Sequence, residues 1–257
     1  MKTSASKRRT LQSLAGMFPC NAILHKWKIA SSPACTLCGH AAETLAHVQC
    51  VCRLCPALKE ARIRAHHNLV MMLWGRLEKL SSRWNIHREM TVDALRGLEA
   101  PLDCLEDWQR AVDELHEPDL ETEEDPASAV GLLRKHPDGF AFDWGSKTIL
   151  ILEFTRAYDW RATWHTDMDS IKTQRYVPLR DKLSRCLPAG WTVDIIPLSL
   201  GVRGSHSEQT WRTALERFGL TGTKATELML QLTAKCLAEA DEIFNVRAAA
   251  LNTKHAS

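Results

Sequence analysis

His136-Pro137-Asp138-Gly139-Phe140-Ala141-Phe142-Asp143, a turn at Trp144-Gly145-Ser146, and then Ile149-Leu150-Ile151-Leu152-Glu153-Phe154-Thr155: this stretch decides the fold. Its two apolar runs, 138–144 and 147–155, read as strands joined in a hairpin. Each carries one acid. Asp138 follows a proline, and Glu153 closes an apolar run. A carboxylate at the end of a buried strand is costly unless something pairs with it. Strand ends on the same side of a hairpin come close enough to share a cation. Asp143 belongs to the turn and reads as a turn former.

The pattern continues downstream. Residues 159–186 read as a long helix with Trp160, Trp164, Met168, Ile171, Leu179 and Leu183 near one face. A third strand spans 190–198, and a glycine-punctuated loop follows at Gly201-Val202-Arg203-Gly204-Ser205. Helices are expected at 207–218 and 222–247. The order β-β-α-β-α describes an α/β sandwich, a small mixed sheet with helices packed on it. Upstream, Ala129 to Lys135 is a possible short helix. The stretch from Asp113 to Asp125 is strongly acidic, contains Pro118, and reads as a solvated linker. The expected organisation is therefore a helical module at 1–112, a linker at 113–126 and an α/β domain at 127–257.

The N-terminal part is helical in character. Leu11, Leu14 and Met17 stand at helical spacing after a basic start, and 20–34 ends in a turn at Ser31-Ser32-Pro33. A long helix is expected from Pro56 to about Trp84, with Leu58, Ile63, Leu69, Val70, Leu73, Leu77 and Leu80 facing a core. Its other face carries Lys59, Arg62, Arg64, His66, His67, Arg76 and Lys79, which is either solvated surface or a nucleic-acid contact. Two shorter helices are expected within 88–116.

Net charge is only +2, so the chain as a whole does not announce a nucleic-acid binder. No apolar run approaches the ~18 residues of a membrane span, and no apolar core of a signal peptide follows the basic N-terminus. An intracellular protein with reduced thiols is expected, with no membrane partner and no evident small-molecule substrate. Of the nine cysteines, five lie between positions 35 and 55. An odd total with one cluster argues for a metal site rather than a disulfide framework. Cys35-Thr36-Leu37-Cys38-Gly39 forms a knuckle that points two sulfurs at one ion. Zn²⁺ takes four N/S ligands in a tetrahedron. Cys35, Cys38, His47 and Cys52 supply one such set; Cys35, Cys38, Cys52 and Cys55 supply another. Spacing permits either. A closed site of this kind is structural.

Asp138 and Glu153 suit Mg²⁺, which takes one or two carboxylates and keeps several waters for phosphate to displace. Phosphodiester cleavage uses such an ion to activate water and stabilise the leaving oxygen. A lysine commonly assists. The position that shares a face with Glu153 two residues on is Thr155, which is neutral. The nearest candidate cation is Lys172 on the following helix, with Arg175 one turn further.

Taken together, these motifs resemble those of site-specific non-LTR retrotransposons. The C-terminal half is similar to their restriction-like endonuclease domain through Pro137-Asp138, the strand ending Glu153-Phe154-Thr155, Lys172 with Arg175-Tyr176, and the Gly201–Ser205 loop before a helix with Trp211. The N-terminal half resembles the region just after their reverse transcriptase core through Leu24-His25-Lys26-Trp27, Cys35-x2-Cys38-Gly39, Glu43-Thr44-Leu45-x-His47, Cys52 and His67-Asn68. The resemblance covers about residues 20–245, with the motifs in the same order. It implies an N-terminal helical zinc-binding module followed by a restriction-endonuclease-like mixed sheet flanked by helices. It favours Cys35, Cys38, His47 and Cys52 as zinc ligands and leaves Cys50 and Cys55 as bystanders. It implies a nuclear PD-(D/E)xK endonuclease that nicks DNA with Mg²⁺ held by Asp138 and Glu153, with Lys172 assisting. His136, Arg175 and Arg203 would contact nucleic acid, whether DNA or the element's RNA.

The departures are specific. His136 stands where these elements often have arginine, and Thr155 stands at the position of the motif lysine. No aspartate pair of the reverse transcriptase type occurs, so the resemblance implies a piece or domesticated remnant of an element. The alternatives are an inactive nucleic-acid-binding protein of the same fold and an interaction scaffold stabilised by zinc.

Overall fold

The computed structural model describes residues 4–52, 54–116, 131–159 and 161–256. Most of the acidic stretch, Trp160 and the first residues of the expected 129–135 helix lie outside them. The fold is mixed α/β. After α1 (Ser4–Leu14) and α2 (Asn21–Lys26) come a π-helical turn at His47–Val51 and the long α3 (Pro56–Leu80). Strand β1 (Asn85–Arg88), a 3-10 turn at Asp93–Gly97 and α4 (Leu105–His116) complete the part before the acidic stretch. Beyond it lie β2 (Gly139–Asp143), β3 (Thr148–Ala157), α5 (Trp164–Cys186), β4 (Thr192–Gly201), α6 (Glu208–Arg217) and α7 (Gly222–Ala256).

The sheet has the order β1-β2-β3-β4. The first two pairings are antiparallel, with Gly139 opposite Leu152 and Asp143 opposite Thr148 in the central hairpin. β3 and β4 run parallel, from Thr148 beside Thr192 to Ala157 beside Gly201. Both strands extend past the ends read from the sequence, because their pairing continues after the apolar runs stop. β4 is an edge strand of the described sheet, where a proline such as Pro197 is tolerated.

Side chains alternate across the sheet and define two layers. Ala141, Leu150, Leu152, Phe154, Leu198 and Leu200 face α3, α6 and α7. Phe140, Phe142, Ile149, Ile151 and Val193 face α4 and α5, where Tyr176, Leu179 and Leu183 meet them. Both layers join residues from before and after the acidic stretch. A third cluster packs the cysteine-rich segment onto α7 through Phe18, Leu45, Val48, Ile243 and Phe244, with the Phe18 and Phe244 rings stacked at 3.4 Å.

Several expectations need correction. β1 was not legible from Asn85-Ile86-His87-Arg88, whose one buried residue is Ile86. α3 ends at Leu80, not Trp84. The chain turns at Ser81 so that Trp84 can pack against Phe218 and donate from Nε1 to the Arg217 carbonyl (2.9 Å). Ile63 and Leu80 are exposed, and Trp74 takes a core place the reading omitted. Ile171 on α5 and Leu11, Leu14 and Met17 at the N-terminus are also exposed. α1 is anchored by polar contacts instead: Ser6 Oγ and Arg9 Nε both donate to Asp241.

Candidate metal centres: a cysteine knuckle and an acid pair

The knuckle is set by backbone geometry. Gly39 adopts φ +73°, a left-handed conformation that glycine accepts without strain. Its N–H donates to the Cys35 carbonyl and the Cys35 N–H to the His40 carbonyl, both at 2.8 Å. His47 opens the π-helical turn, where Thr44 Oγ1 accepts its N–H (3.1 Å), and the Cys52 N–H closes back on its carbonyl (2.8 Å). Cys35, Cys38, His47 and Cys52 thereby converge, with all four ligand atoms within 4.8 Å of one another. Cys38 Sγ lies 3.3 Å from His47 Nε2. A tetrahedral ion with bonds of about 2.0–2.3 Å requires this spacing, so the donor set fits zinc.

Burial pushes Cys35 up to about 11 and Cys52 up to about 12, the latter reinforced by the neighbouring thiols. Burial also raises Cys38, but the His40 N–H and the two partner thiols outweigh it and hold the group below its ordinary value. A coordinated divalent ion would favour the thiolates. Cys55 is buried at the start of α3 but is not one of the four converging ligands. Burial raises the Cys50 thiol, partly offset by the positive charges of Arg156 and Arg62. The geometry thus selects the Cys3His set over the four-cysteine set.

The knuckle is docked, not tethered. Glu43, fully buried, accepts from the Asn21 N–H (3.0 Å) and pairs with Arg247 of α7. Arg62 of α3 donates to the Cys52 carbonyl. Gln49, in the π-helical turn, accepts from Arg156 of β3 at Oε1 (2.5 Å) and donates to the Ala240 carbonyl (3.1 Å).

The acid pair is built across the sheet. Asp138 immediately precedes β2 and, one step beyond the Gly139–Leu152 pair, stands opposite Glu153. Glu153 falls on the sheet face covered by α5. Glu153 is only 4% exposed. Lys172 Nζ donates to Glu153 Oε1. Lys172 reaches it because positions 172, 176, 179 and 183 form one stripe of α5, and Tyr176, Leu179 and Leu183 bury the rest of that stripe against the sheet. Asp138 Oδ2 accepts the Phe154 N–H (2.7 Å), and Oδ1 faces His66 Nε2 at 3.0 Å. The Tyr176 hydroxyl donates to the His136 carbonyl (3.2 Å). Burial first, then the charge of Glu153, raises its ionisation well above the ordinary phenol value. One or two carboxylates are what Mg²⁺ accepts, so this donor set fits a hard cation.

The remaining candidates fall in different places. His136 is exposed at the rim, joined to the site by its carbonyl. Arg175 is exposed, with its guanidinium 5.4 Å from the Tyr176 ring. Arg203 is away from the acids. Its Nε donates to Asp159 Oδ1 (3.0 Å) and its Nη2 to the Asp159 carbonyl, while Ser205 Oγ donates to Asp159 Oδ2 (2.5 Å). This clamp holds the glycine loop, where a side chain on Gly201 would strike Asp159 at 2.5 Å. Arg203 also lines a cavity of about 670 Å³ with His165 and His206. Asp143 is a turn former: it accepts from Ser146 N–H (3.2 Å) and Ser146 Oγ (2.5 Å) and pairs with Arg83.

No family model and no curated protein sequence matches this chain. Among solved structures it is similar to an N-terminal domain of a reptarenavirus L protein, at 16% identity over 71% of this chain and 96% of that one. The TM-score is 0.22, too low to carry an argument. No described helix is long and apolar enough to cross a membrane.

Reading the sequence missed His66, which it assigned only to a basic helix face. The available signal was the run His66-His67-Asn68 in the middle of an otherwise regular helix. Each of the three is bonded to a different element: Asp138, Glu89 (2.7 Å) and Glu239 (3.0 Å).

Proposed function

We propose that this chain is a retrotransposon-derived endonuclease module that nicks DNA with a divalent ion held by Asp138 and Glu153. The observation that carries the reading is the meeting of Asp138, just before β2 and bonded to the Phe154 N–H, with Glu153 of β3 and its partner Lys172 from α5. The order of motifs along the chain supports it independently. In this reading Lys172 orients the Glu153 carboxylate, and its ammonium would help to orient the attacking water or the phosphate. The Phe154 N–H fixes one oxygen of Asp138. His136, Arg175 and, further off, Arg203 offer charge or hydrogen bonds to the phosphate backbone. A bound magnesium ion supplies water activation and neutralises charge on the leaving oxygen. The zinc knuckle is structural. It anchors the start of α3 and so orients that helix's basic face toward nucleic acid.

The test is nicking of supercoiled plasmid in Mg²⁺ or Mn²⁺. Wild type is expected to nick and Asp138→Ala to fall to background; equal behaviour of the two ends the endonuclease reading. A second reading is a non-catalytic nucleic-acid binder. It is favoured by the contacts of Glu153 with Lys172 and of Asp138 with His66, which give both acids a protein partner without an ion. Filter binding across a salt series serves it: a plot of log K against log salt falling by about 0.9 per phosphate contact, without nicking, would select it.

A further inference from the structure

We infer that His66 is a positioning residue of the acid site, making α3 part of the catalytic framework as well as a docking face. The inference rests on the endonuclease reading and assigns a residue that its motifs do not contain. Asp138 is held at three atoms. Oδ2 takes the Phe154 N–H at 2.7 Å, Oδ1 takes His66 Nε2 at 3.0 Å, and its carbonyl takes the Glu89 N–H at 3.0 Å. Glu89 is in turn gripped by His67, the next residue of α3, at 2.7 Å. Adjacent histidines thus fix the side chain and, through Glu89, the backbone of one acid.

A carboxylate oxygen has two lone pairs. Oδ1 can therefore accept from His66 and still bind a cation, which is the usual relation between a metal ligand and the group that orients it. Without a donor at Oδ1 the carboxylate would turn about the bond to its Cβ, tethered only at the Phe154 N–H. His66 is itself held. Its ring lies 5.7 Å from that of Phe154, tilted by 44°, so the residue after Glu153 both donates to Asp138 and supports the imidazole. The His66 side chain is 35% exposed, so it borders the open side of the site. The two acids are thus gripped from opposite faces of the sheet, Asp138 by α3 and Glu153 by α5.

The experiment uses the full zinc-loaded chain and compares wild type, His66→Ala, His66→Gln and Asp138→Ala. Mn²⁺ uptake is titrated by electron paramagnetic resonance, and nicking is measured as kcat and KM for DNA. His66→Ala is expected to weaken Mn²⁺ half-saturation and lower kcat by about 10- to 100-fold, with KM for DNA within about twofold. His66→Gln should recover most of both, because its amide nitrogen reaches where Nε2 does. His66→Ala matching wild type overturns the inference. So does a rise in KM alone, which would make His66 a DNA contact, or a failure of His66→Gln to rescue. Wild type that takes up Mn²⁺ through Asp138 but nicks nothing overturns the endonuclease reading alone, and the Mn²⁺ titration then decides His66. Wild type with no ion at Asp138 overturns both.

Discussion

Cys35, Cys38, His47 and Cys52 lie in one short stretch of chain, and a glycine turn and a π-helical turn bring them together. Asp138 and Glu153 meet across a local hairpin, but Lys172 and His66 reach them from two distant helices, α5 and α3. The knuckle is a site that its own sequence can close around an ion. The acid site exists only after the sheet and two helices have packed. The first has ligands close together in sequence, whereas the second depends on the fold for its geometry.

The largest effect that would sharpen this contrast is expected at the knuckle. Structural zinc contributes ~10 kcal/mol or more to folding of such modules. Cys52→Ser should lose the bound metal, measured by mass spectrometry of the purified protein, and melt far earlier than wild type. Cys55→Ser should keep one equivalent. Loss of metal from Cys55→Ser with retention in Cys52→Ser would break the ligand assignment.

Next comes the docking of the knuckle. Removing one partner of a buried pair costs about 3–5 kcal/mol, because the other charge is stranded. Arg247→Ala strands Glu43, which is fully buried, and should lower the thermal midpoint substantially without releasing zinc. An unchanged midpoint would show that the knuckle folds independently of α7.

A smaller loss is expected at Glu153, whose partner Lys172 is 23% exposed and therefore partly screened. Lys172→Ala should cost about 2 kcal/mol, below the range for a fully buried pair, in chemical denaturation. The double variant Glu153→Gln, Lys172→Met should regain stability but show no nicking. Full nicking by the double variant would reduce the pair to a structural salt bridge.

How much of this was legible in the sequence follows from the range of each interaction. The hairpin 138–155 was readable because two apolar runs flank a glycine turn. Lys172 was readable because it sits where an apolar stripe of α5 runs out toward the acids. β1 was not, because a short edge strand with one buried residue has no period to detect. His66 was hidden for a similar reason: at helical spacing it belongs to a basic face, and only the placement of α3 across the sheet turns it toward Asp138. The resemblance offers Arg203 as a nucleic-acid contact; the fold adds that it clamps Asp159, which its loop sequence does not reveal.

By itself, then, the sequence determined what local chemistry can determine: the knuckle, the hairpin, the long helices and the two acids as a pair. Ligand spacing and periodicity are properties of neighbouring residues, and they survive without a fold. The tertiary structure decided the choice between Cys52 with His47 and Cys52 with Cys55, the docking of the knuckle through Glu43 and Arg247, and the grip of His66 on Asp138. Those depend on which faces of distant elements meet, and burial of apolar surface settles that only when the whole chain has packed.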